Sequence, residues 1–156
     1  MKVTLILIGK TVNKHFEACI DDYRARLAHY LQFEIRVLPA PKNTKALSED
    51  QQKEMEGRSI INSLKTSDYV VLLDERGKEY RSVEFASWLG KKMNAARNLV
   101  LVIGGPYGFS KQVYDRSDEM ISLSKMTFSH EMVRLFCVEQ IYRACTILRG
   151  EHYHHE

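Results

Sequence analysis

The stretch YVVLLD, from Tyr69 to Asp74, is an almost unbroken run of β-branched and leucine residues. Such runs are typical of strands that a parallel sheet buries on both faces, because no position has to face water. Similar runs elsewhere in the chain predict further strands. These are KVTLILIG (2–9), FEIRVL (33–38), LVLVIGG (99–105) and the short MISLS (120–124).

Segments with helical periodicity separate these strands, since their apolar residues recur every three or four positions. The first segment contains Phe16, Ile20, Tyr23, Leu27 and Tyr30. The second runs from about Leu47 to Leu64, carries Leu47, Met55, Ile60, Ile61 and Leu64, and turns its polar face to water. The third, capped by Ser82, carries Val83, Ala86, Leu89 and Met93, a short one starts near Ser110, and the last carries Val133, Cys137, Ile141, Ala144 and Leu148. Ser129 is placed to cap the last helix and Gly150 to end it. Alternating strands and helices predict an α/β fold, a mostly parallel sheet flanked by helices in a single domain over residues 1–156.

Length and composition narrow the class of protein. The 156 residues suit one domain, and no apolar run approaches the roughly 18 residues of a membrane span. Three cysteines without C-x-x-C spacing predict a reducing, cytoplasmic setting, with the two in the last helix acting as buried apolar groups. The net charge of +3 does not by itself indicate nucleic-acid binding, so any RNA contact needs a local basic patch.

Three glycine- or serine-bearing segments follow predicted strands, at residues 73–77, 103–108 and 123–128. In parallel sheets, ligands bind outside the carboxyl ends of the strands, so these segments are the candidate site. IGGPYG, from Ile103 to Gly108, invites comparison with phosphate-binding loops, but the chain lacks their glycine spacing and their lysine. Taken alone, Gly-Gly-Pro is more typical of a tight turn.

The carboxyl-terminal run GEHYHHE, residues 150–156, leaves three interpretations open. A purification tag would be an unbroken histidine run, whereas Tyr153 interrupts this one. A zinc site at His152, His154 and His155 would lack the fixed geometry and supporting hydrogen bonds that such sites require. The third interpretation is that the run belongs to an active site.

Four segments together resemble, in order and spacing, the RlmH family. They are LLDERGK (72–78), VIGGPYGFS (102–110), ISLSKMTFSHEMVRLFCVEQIYRA (121–144) and HYHHE (152–156). Members of that family are SPOUT-class methyltransferases that act on N3 of a pseudouridine in 23S ribosomal RNA. The resemblance extends over essentially the whole chain, is strongest from Tyr69 onward and is weakest over residues 42–65.

The resemblance implies that the carboxyl-terminal part of the chain forms a deep trefoil knot, which the general rules of chain topology would not predict. It also implies that S-adenosylmethionine binds at the three loops identified above. The matching positions are Leu73, Gly104, Gly105, Leu123, Ser124, Lys125, Met126, Thr127 and Phe128. Without the resemblance, the apolar members of this set would be interpreted as core.

The implied reaction indicates which side chains to expect. The imide N–H of the base must lose its proton before N3 can attack a methyl group, so the site needs a proton acceptor and groups that stabilise negative charge. Candidates toward the carboxyl end are His130, Arg134, Arg143, Tyr153 and His154, although capping or surface roles would also explain them. His155 stands where the family usually has Arg or Lys, so the cation is supplied by His155 itself, by Arg143 or by Lys125.

SPOUT-class relatives are dimers with sites built from both chains, so we expect a homodimer in which the tail covers the partner's cofactor site. The implied substrate is 23S ribosomal RNA in the assembled ribosome, with no membrane and no metal. Basic residues for phosphate contact are Arg24, Arg26, Lys91, Lys92 and Arg97, which solvated helix faces explain equally well. Alternatives are a SPOUT methyltransferase for transfer RNA or another ribosomal base, and a non-catalytic ribosome-associated module.

Overall fold

Five strands pair into one sheet in the computed structural model, which describes residues 1–156. They are β1 (Lys2–Ile8), β2 (Gln32–Leu38), β3 (Tyr69–Glu79), β4 (Leu99–Ile103) and β5 (Glu119–Ser122). Their order across the sheet is β2-β1-β4-β3-β5, and every neighbouring pair is parallel. The predicted α/β fold with a parallel sheet is therefore confirmed.

Helices cover both faces of the sheet. They are α1 (Lys14–Leu27), α2 (Glu49–Ser63), α3 (Ser82–Met93), α4 (Lys111–Arg116) and α5 (His130–Leu148). One core cluster joins α1, α3 and α5 to one face, and a smaller cluster joins α2 and α4 to the other. No helix has both the length and the apolar composition needed to cross a membrane. The trefoil knot that the resemblance implied stays a prediction.

The ends of α5 follow the local signals in the sequence. The Ser129 hydroxyl accepts a hydrogen bond from the Met132 amide at 3.1 Å, and Gly150 adopts a left-handed conformation with φ of 68°. The prediction that Ser82 caps α3 is wrong by one residue. The Glu84 side chain accepts from the Arg81 amide at 3.0 Å, which makes Arg81 the capping position and Ser82 the first helical residue.

The register of the central strands brings three strand ends together. Leu73 of β3 pairs with Ile103 of β4 on one side and with Ile121 of β5 on the other. Because the strands are parallel, the segments that follow these residues leave the sheet at one edge. The predicted juxtaposition of the three loops is therefore confirmed.

Strand β3 departs from the sequence prediction, which ended it at Asp74. Ile121 pairs with both Leu73 and Lys78, so the four residues between them bulge out before β3 resumes and runs to Glu79. The bulge displaces the Asp74 to Arg76 segment from the ladder toward the sheet edge. Apolar pattern alone could not show it, because residues 75–79 are polar.

We expect Gly77→Ala to destabilise the fold by about 3 kcal/mol, measured by urea unfolding, because overpacking against a rigid backbone is costly. A Cβ at this position would lie 2.6 Å from the backbone of Met120 and Ile121. Gly150→Ala is the matched control: nothing lies within 4 Å of its Cβ position. It should cost only about 1 kcal/mol, from its left-handed backbone. Equal losses in the two variants would contradict the close β3–β5 approach.

Candidate functional site

A cleft of about 820 Å³ lies at the carboxyl edge of the sheet, where the three loops meet. This volume is in the range of small-molecule sites. Its walls come from the β3 bulge, the loop after β4, the loop after β5 and the first turn of α5. The lining residues are Leu73 to Arg76, Ile103 to Phe109, Tyr114, Ser122 to Ser124, Met126 to Phe128, His130 and Val133.

The structure brings together all but one of the residues predicted to bind a cofactor. The cleft is lined by Leu73, by the two glycines and by all of residues 123–128 except Lys125. Leu73 is half-buried and Met126 is exposed. Lys125 does not line it: its ammonium group lies 3.8 Å from the Glu79 carboxylate, and its side chain is largely exposed. The cleft thus combines apolar side chains with open glycine backbone.

Gly104 and Gly105 permit a close approach, as predicted from their sequence, but by groups of the protein itself. A Cβ on Gly104 would lie 2.9 Å from the Phe109 ring, and one on Gly105 would lie 2.5 Å from each carboxylate oxygen of Glu56. Glu56 belongs to the α2 face that was predicted to meet water, yet it is buried. No signal in the sequence distinguishes it from the exposed acids around it.

A hydrogen-bonded cluster that the sequence did not reveal forms one wall of the cleft. The Tyr114 hydroxyl donates to the Asp74 carboxylate, and Arg76 donates to both. Burial acts to raise the pKa of Asp74, but the hydrogen bonds from Tyr114 and Arg76 outweigh it, so the pKa lies below its usual value. Asp74 is therefore an ionised hydrogen-bond acceptor at neutral pH. The only feature of the sequence that pointed to this residue was its position directly after the apolar run of β3.

Among the predicted catalytic residues, only His130 lines the cleft. It is exposed at the first position of α5, where the Ser129 cap fixes the helix start. Its imidazole is thus available to a bound substrate.

A surface role was one interpretation of Arg134, and this is wrong: the residue is only 3% exposed. Its guanidinium donates to the Ile8 carbonyl at 2.7 Å and to the Thr11 hydroxyl at 3.0 Å. These contacts tie α5 to the end of β1. The segment after β1 covers this arginine, so its burial depends on contacts distant in sequence.

The other predicted residues, Arg143, Tyr153 and His154, gather around Glu139, and these four residues are hereafter the tail cluster. Arg143 donates to Glu139 at 2.7 Å and lies 3.1 Å from Nδ1 of His154. The Tyr153 hydroxyl donates to Glu139 at 3.0 Å and lies 3.2 Å from the Tyr23 hydroxyl. Burial, followed by these hydrogen bonds, raises the pKa of Tyr153 far above its usual value, so the phenol stays protonated.

The cleft and the tail cluster lie at different points along α5. Thirteen residues separate His130 from Arg143, which corresponds to about 20 Å of helix. No residue of the tail cluster lines the cleft of its own chain. One chain therefore does not assemble the predicted catalytic set.

Several other predicted positions are accounted for by internal contacts. Lys92 forms an ion pair with Glu119 at 2.8 Å, and Arg97 donates to the backbone of Ser67 and Asp68. Burial raises the pKa of Cys137 to about 12 and that of Cys145 to about 11, so both thiols are protonated near neutral pH. No group of three or more His, Cys, Asp or Glu side chains is arranged to hold a metal ion.

Comparison with known proteins agrees with this architecture. The family model described as "Predicted SPOUT methyltransferase" matches residues 1–154. Relatives named ribosomal RNA large subunit methyltransferase H are 58% identical in Bacteroides fragilis, 56% in Phocaeicola vulgatus and 54% in Flavobacterium johnsoniae, each over the full length of both chains. The chain belongs to the SPOUT methyltransferases and, among them, to the RlmH family that the sequence motifs indicated.

We expect Asp74→Asn to lower the free energy of unfolding by about 1 kcal/mol at pH 7, because Tyr114 and Arg76 lose an ionised acceptor. A carboxyl whose pKa is depressed by folding stabilises the fold above its unfolded pKa of about 3.9, and this contribution disappears as the pH falls through the folded pKa. The difference between wild type and Asp74→Asn should therefore shrink in urea titrations below about pH 4.

The matched control is Asp115→Asn, which removes the exposed partner of Lys111 on α4. Exposed pairs contribute little, so its unfolding free energy should stay within about 0.5 kcal/mol of wild type. A loss at Asp74 that does not depend on pH would contradict the assigned ionisation.

Proposed function

We propose that the protein transfers a methyl group from S-adenosylmethionine to N3 of a pseudouridine in 23S ribosomal RNA, acting as a cytoplasmic homodimer on the assembled ribosome. The observation that carries this proposal is the cleft at the paired ends of β3, β4 and β5, in a chain whose full-length relatives are named as large-subunit ribosomal RNA methyltransferases.

The cleft suits the methyl donor. Leu73, Leu123 and Phe128 offer apolar surface to a flat adenine ring, and the backbone of the loop over residues 104–108 offers polar groups to its edge. When bound, S-adenosylmethionine supplies an activated methyl group on a positively charged sulfur. The lining carries two acidic side chains, Asp74 and Glu75, against one arginine, Arg76, and this balance favours a cationic ligand.

The target base requires loss of the N3 proton and stabilisation of the resulting charge on its carbonyl oxygens. His130 lines the cleft, and a neutral imidazole has a ring nitrogen that can accept a proton, so His130 is a candidate proton acceptor, as is His154. Arg143 is permanently charged and lies beside His154, so it supplies the cation that the family usually places at the position of His155.

In a dimer, groups that lie far apart along α5 of one chain can meet at one site, because each chain contributes a different part of the helix. If two chains pair so that the tail cluster of one covers the cleft of the other, Tyr153, His154 and Arg143 join His130 around one substrate. A half-open apolar groove of about 250 Å³ adjoins the cleft, lined by residues that include Phe85, Phe128 and the exposed Phe136. We propose that a second copy of the chain covers this groove.

The substrate assignment is tested on ribosomes from a strain that lacks the gene. Incubation of purified protein and S-adenosylmethionine with these ribosomes should add one methyl group, and mass mapping should place it on N3 of a pseudouridine in 23S RNA. A methyl group on another ribosomal or transfer RNA base would instead favour a different SPOUT activity. Absence of any transfer, with donor binding intact, would favour a non-catalytic module.

Removal of residues 152–156 should abolish methyl transfer and leave the affinity for S-adenosylmethionine within about twofold of wild type, measured by calorimetry. The cleft of the same chain does not involve these residues. Unchanged turnover by the truncated protein would contradict a role for the tail.

Mixed dimers test whether the tail acts across the interface. We expect Thr127→Arg, in the cleft, and the 152–156 truncation to be inactive separately. After co-refolding in equal amounts, half of the dimers pair the two variants, and one site in each combines an intact cleft with an intact tail, which gives roughly a quarter of wild-type activity. No recovery would show that cleft and tail act within one chain.

A further inference from the structure

Glu56 is a buried carboxylate without a cationic partner, immediately behind the cleft. It is 5% exposed, and no lysine, arginine or histidine pairs with it. Its neighbours Glu54 and Arg58 on α2 are exposed. Burying a carboxylate is costly unless hydrogen bonds compensate it, so its contacts identify what it stabilises.

The contacts of Glu56 converge on Gly105, which lines the cleft. Both carboxylate oxygens lie against the Gly105 Cα, 2.5 Å from where a Cβ would stand, and the Gly105 amide is close enough to the carboxylate to lower its pKa. The Gln52 amide also donates to Glu56, at 3.3 Å. Burial raises the pKa of Glu56, and these two donors oppose the rise.

The next residue of α2 meets the far end of the same loop. A Cβ on Gly57 would lie 2.3 Å from the buried Ser110 hydroxyl. Between these two anchor points, the loop has one internal backbone hydrogen bond, from the Gly108 amide to the Gly105 carbonyl at 3.3 Å, and Pro106 and Tyr107 are exposed. The loop is thus held at its ends by α2 and only weakly within itself.

We propose that Glu56 is a positioning residue: its carboxylate holds Gly105 so that the backbone of residues 104–108 faces the methyl donor. Glu56 does not line the cleft and acts through the loop. The assignment of S-adenosylmethionine as the ligand rests on the proposed function, whereas the inference that Glu56 sets the conformation of the loop does not.

Hydrogen exchange measured by mass spectrometry tests the loop without any ligand. Glu56→Ala should accelerate amide exchange in a peptide covering residues 104–110 by roughly tenfold or more relative to wild type. Glu54→Ala, which removes an exposed carboxylate from the same helix, should leave that peptide unchanged. Ile60→Val removes one buried methyl group from the core contact of α2, one turn further along the helix. It should lower the melting temperature without selectively accelerating amide exchange in the loop.

Binding and kinetics test the consequence for the donor. Glu56→Ala should raise the dissociation constant for S-adenosylhomocysteine and the KM for S-adenosylmethionine about tenfold, with kcat at saturating donor reduced less than threefold. Glu56→Gln keeps an acceptor oxygen of the same reach, and Gln52 can turn its amide to suit it. This variant should therefore return both constants to within about threefold of wild type.

Three results would overturn the proposal. The first is amide exchange in the loop of Glu56→Ala that is as slow as in wild type. The second is an equal loss of donor affinity in Glu56→Ala and Ile60→Val. The third is a Glu56→Gln variant that is as impaired as Glu56→Ala. A wild-type protein that binds neither S-adenosyl compound would contradict the proposed function instead. The exchange measurement would still decide the role of Glu56.

Discussion

The parallel pairing of β3 with β4 and β5 is the constraint on which the site depends. It places Leu73, Ile103 and Ile121 side by side, so three segments that are distant in the chain leave the sheet at one edge. Backbone hydrogen bonds fix this alignment, and a slip of one residue would turn every side chain of a strand to the opposite face. The cleft is thus a consequence of strand register.

Two features shape the cleft once the register is set. The bulge in β3 moves Asp74 and Arg76 out of the ladder, where Tyr114 of α4 reaches them. On the other side, α2 packs Glu56 against Gly105, and the absence of a side chain on that glycine makes room for this carboxylate. Helices α2 and α4 thus hold the loops, and of the two only α4 also lines the cleft, through Tyr114.

Helix α5 connects the cleft with the tail cluster and keeps them apart. Its first turn presents His130 to the cleft, whereas Glu139 and Arg143, about 14 Å and about 20 Å further along the helix, gather Tyr153 and His154. Arg134 lies between them and joins α5 to β1. A rigid helix with functional groups at separate points suits a site built from two chains, since each subunit then contributes a different end.

The sequence predicted the strands, most helix ends and the edge of the sheet at which the three loops meet. These features depend on local signals, which are unbroken apolar runs, helical spacing, the Ser129 cap and the Gly150 terminus. The family also followed from the sequence, since its motifs recur in order. The β3 bulge was missed because its residues carry no apolar pattern and the strand resumes only through pairing with β5.

Only the tertiary structure decided which polar side chains act together. Asp74 and Tyr114 are 40 residues apart in the chain, and Arg134 and Ile8 are 126 apart. The burial of Glu56 likewise depends on a loop about 50 residues further along the chain. Local pattern reports which face of an element is apolar, but the partner of a buried charge is set by the packing of distant segments.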